Sequence, residues 1–394
     1  MTQPLNTGRI AAIDVFRALT MTLMLFVNDI PSLTDIPHWL LHAGYSEDMM
    51  GFSDTIFPAF LFCMGASVPL AIEHRYRKGD STVQVIAHVF WRVVALVAMG
   101  LFTLNCTGFP GGLSYPAFSA LMVLGFFLTW GVYPASLKKG IATALQATGA
   151  AILIGLILYC DMHGKPFRQG WWGILGLIGW TYAVCAVVYI FTRYRLRCML
   201  AVWMAVVVLS LLSHSSVIPE GYGIGFIQLP FIPSDWTLHA LGVSGMLSTL
   251  LMLRLARGES ARTHFYIIML AAGVAFLILG FACHQYWIIS KIQATPSWLF
   301  YCLAMFCPLY ALLYWQCDAC GHTRWAAFIR PAGTATLTCY IIPYLWYALL
   351  QALHLHYPEV LCAGWPGLLR SAVYALIIVQ ITGLLARAGI KLKV

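Results

Sequence analysis

The chain has 394 residues, of which 61% are hydrophobic and only 9% are charged, and its formal net charge is +9. A soluble domain is about 45–50% apolar and about 25% charged, so this composition excludes a water-soluble globular protein, a disordered chain and a disulfide-rich secreted module. It also excludes a nucleic-acid binder, which needs a polar face for its basic residues. The sequence therefore predicts an integral membrane protein surrounded by a lipid bilayer.

The apolar runs are long and do not alternate with polar residues. This pattern favours transmembrane helices over the short alternating strands of a barrel. The spacing of the runs between polar or Pro/Gly breaks predicts an all-α polytopic membrane protein with about 11–12 transmembrane helices. The predicted spans are 10–28, 54–73, 84–104, 116–134, 140–160, 172–191, 198–213, 237–254, 264–282, 298–315, 334–351 and 367–386. Since no soluble domain fits between the spans, residues 1–394 are expected to form one transmembrane domain.

Lysine and arginine are distributed unequally between the two sides of the predicted membrane. With the N-terminus in the cytoplasm, seventeen of them lie on the cytoplasmic side and four on the opposite side. The positive-inside rule then predicts that both termini are cytoplasmic, and it explains the basic excess without an anionic partner. The two longest breaks between spans, Asp29–Ser53 and Ser213–Trp236, are candidates for functional loops because they are too long for tight turns.

The first predicted span contains an acidic and a basic residue near its start, which does not fit a cleavable signal peptide. We therefore expect this segment to stay in the membrane as an anchor. The two residues, Asp14 and Arg17, are three positions apart and share one face of a helix, so they can neutralise each other. The pair has two interpretations: a structural ion pair that fixes helix packing, or a site where Arg17 contacts a phosphate.

A histidine in the first long loop is the leading candidate for chemistry. Asn28 and Asp29 end the first predicted span, Asp54 begins the second, and His42 lies in the loop between them. An antiparallel helix pair would place these polar residues at similar depth. A histidine beside an amide and carboxylates can act as a general base or as a nucleophile. The alternative for each residue is a polar side chain at a helix end.

Two further cations lie where the charge bias does not expect them. Arg92 is about a turn and a half inside the third span, which predicts a cationic wall for an anionic ligand that enters from the cytoplasm. Lys291 is the only basic residue of its outer loop, which also contains Ser290 and Ser297, and this local exception indicates a site. The stretch Cys317–His322 resembles a metal-binding motif, but it occurs only once, in a predicted cytoplasmic loop, whereas a closed zinc site needs four ligands, so no metal is expected.

Three motifs near the N-terminus resemble those of one family. They are Ile13-Asp-Val-Phe-Arg17 with the run ending Phe26-Val-Asn28, then Leu41-His-Ala43, then Ser53-Asp-Thr-Ile-Phe-Pro58 continuing to Gly65. This signature region, residues 9–75, is similar to that of the heparan-alpha-glucosaminide N-acetyltransferase-like transmembrane acyltransferases. Their pattern is roughly DxFRG, FVN, HA and DxxFPxFxFxMG. Ala18 stands where the family has Gly, and Ser290 and Ala335 where it has Asn, so the chain resembles a divergent bacterial-type member.

The resemblance implies transfer of an acetyl or other acyl group from cytoplasmic acetyl-CoA to an amino sugar or other glycan acceptor at the outer side of the membrane. It implies that His42 is the catalytic histidine, as general base or acyl carrier, and that Asn28 orients it or the reacting carbonyl. It also implies the bacterial inner membrane as the location and a homodimer as the assembly. The remaining expected roles are a carboxylate partner in Asp29 or Asp54, CoA binding by Arg17, Arg92 and Asp14, and acceptor binding by Lys291, Ser290 and Ser297.

Two other functions stay open at this point. About twelve spans with both ends cytoplasmic also suit a multi-span solute transporter, although the polar cluster near residues 14–54 has no counterpart near 210–250 of the kind that internal repeats produce. The third hypothesis is a non-catalytic membrane scaffold of the same fold. Binding of acetyl-CoA distinguishes the scaffold from the enzyme.

Overall fold

The structure is a computed structural model that describes residues 10–106, 113–215, 236–255 and 259–394. These residues form helices joined by loops, and none of them belongs to a β-strand. The α-helices in this part of the chain are α1 (Ala11–Asp29), α2 (Ser53–Arg77), α3 (Thr82–Leu104), α4 (Tyr115–Trp130), α5 (Lys139–Met162), α6 (Gly173–Thr192), α7 (Leu196–Ser213), α8 (Thr237–Leu255), α9 (Glu259–His284), α10 (Pro296–Tyr314), α11 (Arg330–Thr334), α12 (Thr336–Ala352) and α13 (Gly364–Arg387).

Each predicted span corresponds to a helix, and the short α11 is an addition that the apolar pattern did not predict. Within the described ranges, ten helices are long and apolar enough to cross a membrane. The other two predicted spans, α4 and α12, have only 16 and 17 residues. The all-α polytopic membrane fold is therefore confirmed, with ten helices that meet these criteria instead of about 11–12. The orientation of the termini stays a prediction.

The chain divides into two compact units. The first unit comprises Met1–Thr20, Pro37–Phe90 and Trp180–Ala327, and the second comprises Met21–Ile36, Trp91–Gly179 and Phe328–Val394. Helices α1, α3 and α6 contribute residues to both units, and the single domain expected from the sequence stays a prediction. Most of the predicted functional loop Ser213–Trp236, namely residues 216–235, lies outside the described residues.

The first unit is organised around α2, α8 and α10, whose residues are mostly buried, whereas α9 packs on α10 and exposes most of its surface. The ring of Phe62 on α2 lies 6.2 Å from that of Phe16 and 6.0 Å from those of Phe306 and Tyr310, measured between centroids. Since lipid is as apolar as these side chains, such helices associate through close packing more than through the hydrophobic effect. The backbones of α2 and α8 accordingly approach closely.

The closest approach of α2 and α8 occurs at Gly65, where an added Cβ would lie 1.9 Å from the carbonyl oxygen of Gly242. We expect Gly65→Ala to lower the free energy of unfolding by about 1–3 kcal/mol, because the two backbones must separate. Gly155→Ala on α5 is the matched control, since no atom lies within 4 Å of its Cβ position. The control is expected to be neutral or slightly stabilising. Thermal unfolding in detergent measures both, and equal melting temperatures for the two variants would contradict this packing.

The second unit packs α4 against α5 and α12, while α13 contacts α11 and α12. Two isolated bridges fix its irregular segments. Thr34 pairs with Ala363, and Gly131 pairs with Leu392. The segment that follows α1 is thereby held beside the start of α13, which positions the carboxylate of Asp29 described below.

Candidate active site

The loop between α1 and α2 returns to the first turn of α2, and this places His42 beside that turn. The hydroxyl of Ser53 donates to the carbonyl of Leu40 at 2.5 Å. At Gly51, a Cβ would lie only 1.8 Å from the carbonyl oxygen of Leu41, so only glycine permits this approach. The loop therefore depends on two local features that its sequence supplies, a hydroxyl at the helix start and a glycine just before it.

The buried carboxylate of Asp54 organises this loop. Its Oδ1 lies 2.7 Å from Nδ1 of His42, and its Oδ2 accepts hydrogen bonds from the backbone N–H groups of Ala43 at 2.9 Å and Gly51 at 3.1 Å. The side chain of Asp54 is only 1% exposed. A carboxylate bonded to Nδ1 fixes the orientation of a histidine ring and favours a proton on that nitrogen. Of the two predicted carboxylate partners, Asp54 is the one that contacts His42.

The third member of the cluster comes from the turn that precedes α10. The ammonium nitrogen of Lys291 lies 3.0 Å from Nδ1 of His42 and 3.5 Å from Oδ1 of Asp54. Burial lowers the pKa of Lys291, and the neighbouring Asp54 carboxylate opposes that shift. The side chain of His42 is 34% exposed, and none of the described residues forms a hydrogen bond with its Nε2. Nε2 is therefore the ring nitrogen open to a substrate.

The two serines predicted to bind an acceptor are buried, and they stabilise the turn that carries Lys291. Ser297 Oγ donates to the carbonyl of Ile288 at 2.7 Å, and Ser290 Oγ accepts from the backbone N–H of Gln293 at 3.2 Å. The geometry gives both residues a part in the turn itself, and their contact with a substrate stays a prediction.

Asn28 and Asp29 belong to the second unit, and the structure engages Asp29 there. Its carboxylate accepts from Tyr347 Oη at 2.6 Å, Arg370 Nη2 at 2.9 Å and Ser371 Oγ at 2.5 Å. Asp29 and Arg370 are both at least nine-tenths buried, so the two charges form an interior ion pair. Asn28 is exposed at the end of α1. The catalytic roles predicted for these two residues stay predictions.

The predicted CoA-binding residues lie on α1 and α3. Arg17 donates from Nη2 to Ser67 Oγ on α2 at 2.7 Å, and its Nη1 lies 3.5 Å from Oδ1 of Asp14. This distance confirms that Asp14 and Arg17 share one helix face and form a pair. Both side chains are 27% exposed although they lie within a span. Arg92 is half-buried on α3 in the second unit, and its predicted contact with an anionic ligand stays a prediction.

The structure also joins the two site loops through contacts that the sequence did not predict. The carboxylate of Asp48 accepts from His284 Nε2 at 2.8 Å and from the backbone N–H of Ile289 at 2.8 Å. Gln293 Nε2 donates to the carbonyl of Tyr45 at 2.7 Å. No sequence pattern signals such contacts, because Asp48 and His284 are 236 positions apart.

In the part of the chain that the structure describes, no three or more His, Cys, Asp or Glu residues lie together as a metal-ion site would require.

The contact between these loops is expected to weaken in acid. The hydrogen bond from Ile289 N–H, followed by that from His284, lowers the pKa of Asp48. Because the pKa in the folded protein is below the unfolded value of about 3.9, the stabilisation is present above that value and disappears as the pH falls through the lowered pKa. Hydrogen exchange at the Ile289 amide, corrected for its intrinsic pH dependence, should accelerate in that window. In Asp48→Asn the Ile289 amide should exchange faster at neutral pH and should show no further acceleration in acid. If the acceleration in acid is the same in this variant, protonation of Asp48 is not its cause.

These features define the class of protein as an all-α integral membrane protein with a His–Asp–Lys cluster at the start of α2. Residues 9–218 match the family model described as "Domain of unknown function (DUF5009)". The match covers more than half of the chain, and the chain belongs to this family.

Two curated relatives have similar segments. The chain is 28% identical over 111 residues to heparan-alpha-glucosaminide N-acetyltransferase of Mus musculus, with 28% of this chain and 16% of the relative covered. It is 29% identical over 108 residues to the protein of the same name from Homo sapiens, with 27% of this chain and 15% of the relative covered. The alignments thus span about a sixth of the length of these relatives. The resemblance predicted from the motifs is confirmed as a distant relationship.

Proposed function

We propose that the protein is a transmembrane acyltransferase that moves an acetyl group from acetyl-CoA to an amino sugar or other glycan acceptor. One observation carries this proposal: the buried carboxylate of Asp54 holds Nδ1 of the His42 ring, while Nε2 has no partner among the described residues. Such a pair is suited to take a proton from an amine or hydroxyl. The distant relatives are named as N-acetyltransferases, which favours acyl transfer over other base-catalysed reactions.

The proposed reaction balances through His42. Nε2 accepts the proton of the acceptor amine or hydroxyl as that group attacks the thioester carbonyl carbon. The carbon–sulfur bond then breaks, and the CoA thiolate leaves with the proton that Nε2 returns. The Asp54 carboxylate stabilises the imidazolium that forms in between. In the alternative, Nε2 itself attacks the thioester carbonyl carbon, the carbon–sulfur bond breaks and the CoA thiolate leaves. The acceptor then attacks the acetyl carbon, the carbon–nitrogen bond to Nε2 breaks, and the acceptor's proton passes to the freed Nε2 and on to the thiolate.

The arrangement along α2 supports a place for CoA within the first unit. Arg17 contacts Ser67, and His42 contacts Asp54, which lies thirteen residues earlier on the same helix. At 1.5 Å per residue these two points are about 20 Å apart along α2. An extended pantetheine arm has a comparable length, so a phosphate at Arg17 is compatible with a thioester near His42. In the predicted orientation, Arg17 lies in the cytoplasmic half of its span, and His42 lies on the outer side.

The test is acetyl transfer by the purified protein in proteoliposomes. Acetyl-CoA labelled in the acetyl group is supplied on one side, and amino sugars are supplied on the other. We expect labelled acetylated sugar only when both substrates are present, and weaker acetyl-CoA binding by Arg17→Gln. Solute uptake without acetyl-CoA would instead support a transporter, and the absence of acetyl-CoA binding would support a scaffold. The bacterial inner membrane and a homodimer remain parts of the proposal that localisation and native mass measurements test.

A further inference from the structure

The nitrogen Nδ1 of His42 has two neighbours that require different protonation states. The Asp54 carboxylate, 2.7 Å away, only accepts a hydrogen bond, whereas a protonated Lys291 amine, 3.0 Å away, only donates one. An imidazole nitrogen in the plane of its ring offers either one N–H or one lone pair. Nδ1 can therefore satisfy only one of the two neighbours at a time.

The choice at Nδ1 determines the state of the other ring nitrogen in a neutral histidine. When Nδ1 carries the proton and donates to Asp54, Nε2 has a lone pair. When Nδ1 accepts from Lys291, Nε2 carries the proton and has no lone pair for a substrate. The two arrangements have the same positions for all non-hydrogen atoms and differ only in which nitrogen carries the proton.

We propose that Lys291 is a positioning residue that competes with Asp54 for Nδ1 of His42 and so selects which ring nitrogen carries the proton. Its part in catalysis rests on the proposed function, since only the arrangement with a free Nε2 can accept a proton from the acceptor. This role differs from acceptor binding, because the amine of Lys291 is directed at the two catalytic side chains.

The competition depends on pH in a defined direction. Burial lowers the pKa of Lys291, so the amine loses its proton below the ordinary lysine range. As the pH rises through that value, Lys291 becomes a neutral amine, which is a much weaker donor and no longer imposes a lone pair on Nδ1. Nδ1 then carries the ring proton and donates it to Asp54, which leaves the lone pair on Nε2. Other titratable groups of the described residues near this site are Glu47, which accepts from Gly44 N–H and lies 3.5 Å from His38, Asp48 with His284 at the neighbouring loop contact, His214 against the carbonyl of Gln293, and the buried Cys302 on α10.

The experiment is nitrogen NMR of protein labelled with ¹⁵N-histidine in bilayers, without acetyl-CoA or acceptor. His42→Gln identifies the resonances of His42 by their loss. In the unmodified protein, the Nε2 resonance should move from the protonated-nitrogen position to the unprotonated one as the pH rises through the titration of Lys291. Lys291→Met cannot donate and should show unprotonated Nε2 throughout neutral and alkaline pH. Lys291→Arg always donates and should show protonated Nε2 with no step.

This pair of variants separates the proposal from a structural role. Both keep a long side chain at the turn, and detergent melting curves check that both fold. If the Nε2 resonance is the same in the unmodified protein, Lys291→Met and Lys291→Arg at every pH, the proposal is overturned. Since no substrate is present, that result would leave acetyl transfer standing. A failed transfer assay, in turn, would leave the NMR titration interpretable. With substrates present, Lys291→Met should lose the alkaline rise of the pH–rate profile.

Discussion

Replacing His42 with alanine is expected to reduce acetyl transfer by about 10²–10⁴-fold, the usual contribution of a positioned general base. The physical reason is that Nε2 of His42 is the ring nitrogen that the Asp54 contact leaves open to a substrate. Because the ring is 34% exposed and, among the described residues, bonds to Asp54 and Lys291 alone, its loss should change stability little. Initial rates with labelled acetyl-CoA measure the effect.

The matched control is His38→Ala in the same loop. The side chain of His38 is 60% exposed and its Nδ1 lies 3.5 Å from Glu47, so it is expected to retain full activity. Binding of acetyl-CoA should persist in both variants, since Arg17 is unchanged. Equal rates in the two variants would remove His42 from the reaction. A loss in both would indicate that the loop, and not the ring, was disturbed.

Replacing Asp54 with alanine is expected to impair both folding and activity. The carboxylate accepts from two backbone N–H groups, those of Ala43 and Gly51, and is only 1% exposed. Each donor left unsatisfied costs about 1–3 kcal/mol. The free energy of unfolding should therefore fall several times further than it does for a substitution of an exposed residue. Activity should also fall, but by no more than in His42→Ala, because the ring remains and loses only its orientation.

Two comparisons separate the effects of this change. Asp54→Asn keeps an acceptor for one N–H group but loses the charge, so it should recover part of the stability and little of the activity. Asp48→Ala, which removes a 45% exposed carboxylate from the same loop, should lower the melting temperature less at neutral pH, because water can replace the contacts of an exposed group. If Asp54→Ala melts no lower than Asp48→Ala, Asp54 does not organise the loop. Melting curves in detergent and transfer rates on the same samples provide the test.

The sequence predicted the helices well because their signal is local. Twenty apolar residues in a row require a helix in lipid, and the observed ends lie within a few residues of the predicted ones. The break between α11 and α12 at Ala335 was not predicted, since its backbone angles of −129° and 46° leave no mark in the hydropathy. The shortness of α4 was also missed, because its flanking residues are apolar as well.

The sequence was enough to predict which residues form the site, but only some of the contacts between them. His42, Asp54 and Lys291 each stood out as polar groups beside apolar runs, and His42 and Asp54 are close enough in sequence for one loop to join them. Lys291 is 249 positions from His42, so their contact depends on how α10 packs beside α2. The pairing of Asp29 with Arg370, 341 positions apart, is of the same kind. A single sequence contains no local signal for such packing.

The backbone bonds of Asp54 have a consequence for comparing members of this family. Because this carboxylate holds the loop together, a member without the proposed reaction would still need it in order to fold. Its presence in a sequence therefore reports on the fold. The side chains of His42 and Lys291 contact other side chains, and in the described structure neither side chain accepts a hydrogen bond from a backbone N–H group. In a member without the proposed reaction, selection would no longer retain these two residues, so their joint presence would be the better marker of the proposed activity.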